Sequence, residues 1–180
     1  SGPLDFQGDL GTELDGIPYH RDFVFERLGF NWEGSEVLAA FGLAQLDKLH
    51  TFTALHRAHH AAHAAYFARH SDWFVLPRQL AEVETAWMSY PLVVRPEAPF
   101  DRNDLLRHLE AEHVGSRPIW TGNILRHPGF KDIPHRADPA GYPVCDEVMR
   151  GGLLLPGHHG LDASDISQVH EVVGDFLERY

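Results

Sequence analysis

The strongest constraint on this chain is an interruption that never comes: between Gly42 and Pro77 there is neither glycine nor proline. Across the first part of that stretch apolar residues recur near helical spacing, at Ala44, Leu46, Leu49, Phe52 and Leu55, continuing Val37, Leu38 and Phe41. Ser35 is a suitable N-cap, with Glu36 in the first turn. Residues 54–68 are dominated by Ala and His, so the spacing predicts one long helix over 35–70, on the order of 50 Å at 1.5 Å per residue. A bend or break, if present, belongs at 49–53.

Residues 1–34 carry Gly at 2, 8, 11, 16, 29 and 34 and Pro at 3 and 18 without a sustained period, which reads as an extended, loop-rich arm. Beyond the helix, 73–76 and 86–94 are rich in aromatic and β-branched residues and are closed by Pro77 and Pro96, as strands are. Asp101 should cap a short helix carrying Leu105, Leu106 and Leu109 that stops near Gly115. A strand is expected at 116–120, a long surface loop at 121–143 and a compact apolar strand at 152–156. Leu161-Asp162 leads into a helix striped by Ile166, Val169, Val172, Val173, Phe176 and Leu177. The expected architecture is a small α/β domain hung on a long helix.

Composition narrows the function. With 43% hydrophobic residues, 180 residues can fill one core. Fifteen basic against 26 acidic residues, a formal charge of −11, give no footprint for a nucleic acid backbone or an anionic membrane. No apolar run approaches the roughly 18–20 residues of a membrane span, and Ser1-Gly2-Pro3 does not open a signal peptide, so the expected location is cytoplasmic. Cys145 is alone, which excludes an internal disulfide or a multi-cysteine metal site; it reads as apolar filler. Lys48 and Lys131 are the two lysines available for Schiff-base chemistry, and each sits beside an Asp as a solvated surface charge would.

Four features invite a chemical reading. His56, His59, His60 and His63 share one helix face, a spacing able to seat zinc, although a solvated Ala/His face explains it as well and is preferred, with no metal assigned. His158-His159 follow Leu155-Pro156-Gly157, where a loop after a strand could present them to a site. Trp120-Thr121-Gly122-Asn123 sets an aromatic, a flexible glycine and an amide at a strand end, with Arg126 close behind, though a plain strand-to-loop turn accounts for Gly and Asn. Asn31, just before the long helix, can cap it or donate to a phosphate. No Ser/His/Asp or Walker-type motif is present.

The run Leu28-Gly29-Phe30-Asn31-Trp32-Glu33-Gly34-Ser35-Glu36-Val37-Leu38-Ala39-Ala40-Phe41-Gly42-Leu43-Ala44-Gln45-Leu46-Asp47-Lys48-Leu49 closely resembles a segment of the DegT/StrS family of pyridoxal-phosphate sugar aminotransferases. Ala86-Trp87-Met88-Ser89-Tyr90-Pro91-Leu92, then Arg117-Pro118-Ile119-Trp120-Thr121-Gly122-Asn123-Ile124-Leu125-Arg126-His127-Pro128-Gly129-Phe130, then Leu155-Pro156-Gly157-His158-His159-Gly160-Leu161 follow in that family's order. The Gly122-Asn123 loop and the context of Asn31 look most like the branch of nucleotide-linked 4-keto-6-deoxyhexose 3-dehydratases. Leu125 stands three residues before Pro128, where aminotransferases of the family usually have His, and His158-His159 departs from their His-Pro-Gly.

The resemblance implies an α/β fold: the C-terminal small domain of a fold-type-I, aspartate-aminotransferase-like enzyme, with a small, mostly antiparallel sheet and helices preceded by a long helix. Residues 1–34 would belong to or lead from a large domain, 35–70 would connect, and 71–180 would be the small domain. The implied cofactor is pyridoxal or pyridoxamine phosphate, whose Schiff-base position lies upstream of this segment, so neither lysine inherits it and no catalytic residue is assigned here. Asn31 would reach the cofactor phosphate of the other subunit, making the sites of a homodimer composite. Trp120, Gly122, Asn123, Arg126, His158 and His159 would line the nucleotide-linked 4-keto sugar. The alternatives are a glutamate-dependent sugar aminotransferase and a dimerisation or His-rich metal-binding module.

Overall fold

The computed structural model describes residues 12–14, 17–19, 34–130 and 132–180. It divides into two units, Ser1–Ala44 and Gln45–Tyr180. In the first, β1 (Thr12–Leu14) pairs antiparallel with β2 (Ile17–Tyr19), Leu14 opposite Ile17, so the arm expected to be irregular contains a short hairpin. Helix α1 (Glu36–Leu46) begins where Ser35 was expected to start it, and the Ser35 carbonyl accepts the Ala39 N–H at 2.9 Å.

The single helix expected over 35–70 is two. α1 ends at Leu46, and α2 (Leu49–Phe67) starts after a turn at Asp47-Lys48, slightly before the segment marked for a bend. The Lys48 N–H bonds the Gln45 carbonyl three residues back, at 3.0 Å, which tightens the turn, and no side chain caps α2. Residues Ala68–His70 end the helical stretch as one 3-10 turn. Propensity sees no reason to stop here, because both flanks are good helix formers; the interruption is a local change of hydrogen-bond register.

The second unit is built on a four-stranded antiparallel sheet in the order β3 (Phe74–Val75), β4 (Ser89–Val94), β6 (Gly152–Pro156), β5 (Arg117–Pro118). Helix α3 (Arg102–Ala111) opens with a capping box. The Asp101 carboxylate accepts the Asp104 N–H at 2.9 Å, and the Asp104 carboxylate accepts the Asp101 N–H at 3.1 Å. Asp162 and Asp165 repeat the arrangement at the start of α5 (Ala163–Leu177), whose whole predicted stripe is buried. Along β4, Tyr90, Leu92 and Val94 alternate toward the core, where they meet Phe67, Phe74, Phe100, Leu105, Leu109, Leu153, Leu155, Val173 and Phe176.

Three local expectations change. The strand expected over 86–94 starts only at Ser89, since Trp87 is drawn aside to stack on His60 and donate its Nε1–H to Gln79 at 2.8 Å. The strand expected over 116–120 shortens to Arg117–Pro118, because Trp120 takes a positive φ of 35° and turns the chain away. The long loop over 121–143 holds two 3-10 turns, Ile124–Arg126 and Pro128–Phe130, and Pro143 opens a helix, α4 (Pro143–Gly151), that the sequence reading lacks. Among the described residues no helix is long and apolar enough to cross a membrane.

Candidate functional site

The predicted substrate residues fall into two groups. The first is the turn after β5. The Ile119 N–H bonds the Gly152 carbonyl at 3.3 Å, and the chain then reverses through Trp120 and Gly122, which has φ 58°. A Cβ at Gly122 would stand 2.5 Å from the Met149 Cβ and 2.6 Å from its Cα, so only glycine lets the turn lie on α4. Asn123 is buried. Its Nδ2 donates to Asp146 Oδ1 at 2.7 Å and its Oδ1 accepts the Leu125 N–H at 3.2 Å, capping the 3-10 turn.

Arg126 completes the fastening: its Nε and Nη2 donate to the two carboxylate oxygens of the same Asp146. The Arg126 hydrogen bond, then that of Asn123, holds the Asp146 carboxyl well below the usual carboxylate range. The Arg126 guanidinium is thus already paired with Asp146. With the turn fixed by Gly122, Asn123 and Arg126, the Trp120 ring is left open, 79% exposed. Asp146 is the residue that sequence reasoning missed; an acid in the first turn after a helix-opening proline was the available signal.

The second group is the turn after β6, which α2 holds by its backbone. His63 Nε2 donates to the Pro156 carbonyl at 2.9 Å and His59 Nδ1 to the Gly157 carbonyl at 3.3 Å. His158 Nδ1 accepts the Gly160 N–H at 2.9 Å, and His159 stacks on Phe52 with centroids 3.7 Å apart. The His face preferred as solvated is therefore a packing face: His59 and His63 are buried and His56 and His60 half-buried. Uncharged imidazole is flat and amphipathic, so His63 can stack on Tyr90 while its N–H meets the Pro156 carbonyl, and His60 stacks on Trp87. Burial, ahead of its histidine neighbours, pushes His63 down to about 4, and burial followed by His159, His158 and His59 lowers His56. His159 is lowered by burial, then by His158 and Lys48.

These groups are not adjacent. Arg117 pairs with Leu154 and Pro118 with Leu153, so Trp120 lies beyond the Gly152 end of β6 and His158 beyond the Pro156 end. The five-residue strand separates them by roughly 17 Å at about 3.3 Å per residue. Asn31 and Lys131 lie outside the described residues, and Lys48 is exposed in the turn before α2. Cys145 is half-buried on α4. Among the described residues no three His, Cys, Asp or Glu side chains are grouped as a metal site would group them.

The chain is similar to several known proteins. The chain is 24% identical over 170 residues to the lipopolysaccharide biosynthesis protein RfbH of Salmonella typhimurium, covering 93% of this chain and 39% of that protein. It is 28% identical to the dTDP-4-dehydro-2,6-dideoxy-D-glucose 3-dehydratase of Saccharopolyspora spinosa, over 97% of this chain and 37% of that one. It spans about two fifths of the length of these relatives. The solved GDP-4-keto-6-deoxy-D-mannose-3-dehydratase of E. coli with bound hydrated PLP superposes with a TM-score of 0.74 at 22% identity, over 84% of this chain and 38% of that one. An aminotransferase from Psychrobacter cryohalolentis also superposes at 0.74, with 18% identity over 93% of this chain and 44% of that one. These superpositions share the fold expected from the sequence, the small antiparallel sheet with helices of fold-type-I enzymes. The model of the DegT/DnrJ/EryC1/StrS aminotransferase family matches residues 13–174, and the chain belongs to that family.

Proposed function

We propose that this chain is the substrate-side segment of a pyridoxal or pyridoxamine phosphate enzyme that removes the C3 hydroxyl of a nucleotide-linked 4-keto-6-deoxy sugar, in the biosynthesis of deoxysugars for surface polysaccharide. The observation that carries the reading is the Trp120 turn. A large aromatic residue held in the left-handed region and left open by the described residues suits the face of a sugar or base. The relatives named as 3-dehydratases, at 27–28% identity, support dehydration. The aminotransferase reading, with glutamate as donor, is supported by the fold likeness to solved aminotransferases.

The cofactor, when bound, supplies an electron sink for the sugar's carbonyl end. The described residues do not cradle its ring: their lysine, Lys48, stands exposed. Asn31 is the group of this chain assigned to it, a neutral donor suited to a phosphate oxygen, in a homodimer whose second copy completes each site. The residues described here bind and orient instead. Trp120 covers the sugar nucleotide, Gly122, Asn123 and Asp146 fix its angle, and Arg126 Nη1, which bonds none of the described residues, is available for one polar contact. His158 and His159 offer imidazoles farther along the wall, that of His159 favoured in its neutral form by burial. The metal-module alternative is disfavoured because no three ligating side chains are grouped among the described residues and both ring nitrogens of His63 are engaged, by the Pro156 carbonyl and by His170.

Mass analysis of the product tests this. The cofactor-loaded, relative-length enzyme that contains this segment should return a sugar nucleotide lacking the C3 oxygen. Gain of an amine nitrogen at C4 would establish transamination instead, and no change in the sugar would reject both.

A further inference from the structure

The histidines of α2 are not in the substrate-side set, yet they hold its second half by the backbone, and α5 adds a third ring to them. His170 Nε2 lies 3.0 Å from His63 Nδ1. His170 stacks on Tyr66 with centroids 4.3 Å apart and planes at 2°, and His63 stacks on Tyr90 at 5.1 Å. The partners dictate where the hydrogens are. A carbonyl only accepts, so His63 carries its hydrogen on Nε2, facing Pro156, and His59 carries one on Nδ1, facing Gly157. Neutral His63 then has a bare Nδ1, which must accept, so the hydrogen between the rings belongs to His170 Nε2. The order is fixed: His170 donates to His63, and His63 donates to Pro156.

We propose that His63 and His170, with His59, are positioning residues that lock the His158-His159 turn through the carbonyls of Pro156 and Gly157, and that full protonation of the His63–His170 pair unlocks it. The assignment rests on the proposed function only in treating that turn as substrate wall. One added proton is tolerated, because an imidazolium at His170 still donates from Nε2. A second proton sets N–H against N–H between the rings; His63 keeps its Nε2–H toward Pro156, so the turn is released by the mutual repulsion of the two imidazoliums, which drives His63 from its seat, and not by loss of that donor.

His63 is wholly buried, while His170 lines a groove of about 780 Å³ between α2 and α5 with Leu55, Ala58, Tyr66 and Ile166, so protons arrive through His170. Burial, then Arg69, lowers His170; burial lowers His63 to about 4. The groups facing the pair are His59, His60, Tyr66 and Arg69 from α2 and its 3-10 extension, Tyr90 from β4, and Glu171, Asp175 and Glu178 along α5. Beside His59 stands His56, itself next to His158 and His159, and Asp162 shares the groove with His59.

The test uses the 180-residue protein and needs no substrate. Nitrogen-15 spectra of the imidazoles should show Nε2–H tautomers for His63 and His170 at pH 7.5; an Nδ1–H tautomer at His63 overturns the proposal whatever the variants do. In the wild type, amide signals of residues 157–161 should move in step with the His63 titration below about pH 5. His63→Gln keeps a donor and an acceptor but cannot titrate, so it should hold the turn across that range. His63→Phe keeps the ring volume and loses both, so amide exchange at Gly160 and Leu161 should rise roughly tenfold at neutral pH with protection at Val173 unchanged. A tenfold change equals about 1.4 kcal/mol, the size of one such bond. If His63→Gln releases the turn as His63→Phe does, or neither releases it, the lock is refuted. Failure of the function reading looks different: the lock is observed, but His158→Ala and His159→Ala leave the KM of the assembled enzyme unchanged.

Discussion

Substituting alanine at Gly122 should detach the Trp120 turn from α4. At φ 58° an L-residue costs roughly 1–2 kcal/mol, and the added methyl would sit 2.5–2.6 Å from Met149 Cβ and Cα. The Cα cannot rotate away as a side-chain end could, so overpacking adds about 1–3 kcal/mol. The variant should therefore either lose about 2–5 kcal/mol in urea unfolding or lift the turn and break the bonds from Asn123 and Arg126 to Asp146. Both outcomes are read together: the urea midpoint, and the Asp146 carboxyl carbon followed by NMR against pH. In the wild type that carboxyl titrates well below the ordinary range, and in a lifted turn it returns toward about 3.9. Gly129→Ala is the control, since a Cβ there meets nothing within 4 Å and its φ is ordinary. If Gly122→Ala changes neither readout, the close approach to Met149 is not what fastens the turn.

Further consequences are testable on the same protein. Because His63 is lowered to about 4 in the folded state, the unfolded chain takes up that proton first, near 6.5. Its contribution to stability is complete above pH 6.5 and lost as pH falls to about 4, a change of about 3 kcal/mol at about 1.4 kcal/mol per pH unit. Urea midpoints at pH 7, 5.5 and 4 should show the loss, and His63→Gln should flatten it. Phe67→Ala, at a fully buried site among Phe74, Tyr90 and Tyr66, should cost about 3–5 kcal/mol in the same assay. In the cofactor-loaded enzyme, Asn31→Ala should weaken pyridoxal phosphate binding roughly tenfold, as loss of one hydrogen bond to a charged group would; unchanged affinity removes Asn31 from the site.

The parts of this fold that were legible are those whose cause lies within a few residues. Asp101 with Asp104 and Asp162 with Asp165 announce helix starts because each pair caps reciprocally, and the α5 stripe is buried at every position that its spacing marks. α4 was hidden: it is short, and its opening proline ends a Pro/Gly-rich run that looks like loop. The fate of the His face was unreadable for a different reason. The same i, i+3, i+4, i+7 pattern serves solvent, metal or packing, and the deciding carbonyls lie 93 and 98 positions away. The same holds at the candidate site. Gly122 and Asn123 mark a turn by themselves, but the pairing of Arg126 with Asp146, 20 residues on, can be seen only in three dimensions.

The central claim, that the Trp120 turn is a wall of the sugar-nucleotide site, is tested most directly by steady-state kinetics of Trp120→Ala in the assembled, cofactor-loaded enzyme. Loss of one aromatic stacking surface, worth about 1–3 kcal/mol, should raise the KM for the nucleotide-linked 4-keto sugar roughly tenfold or more and leave kcat within about threefold. A KM equal to that of the wild type would contradict it.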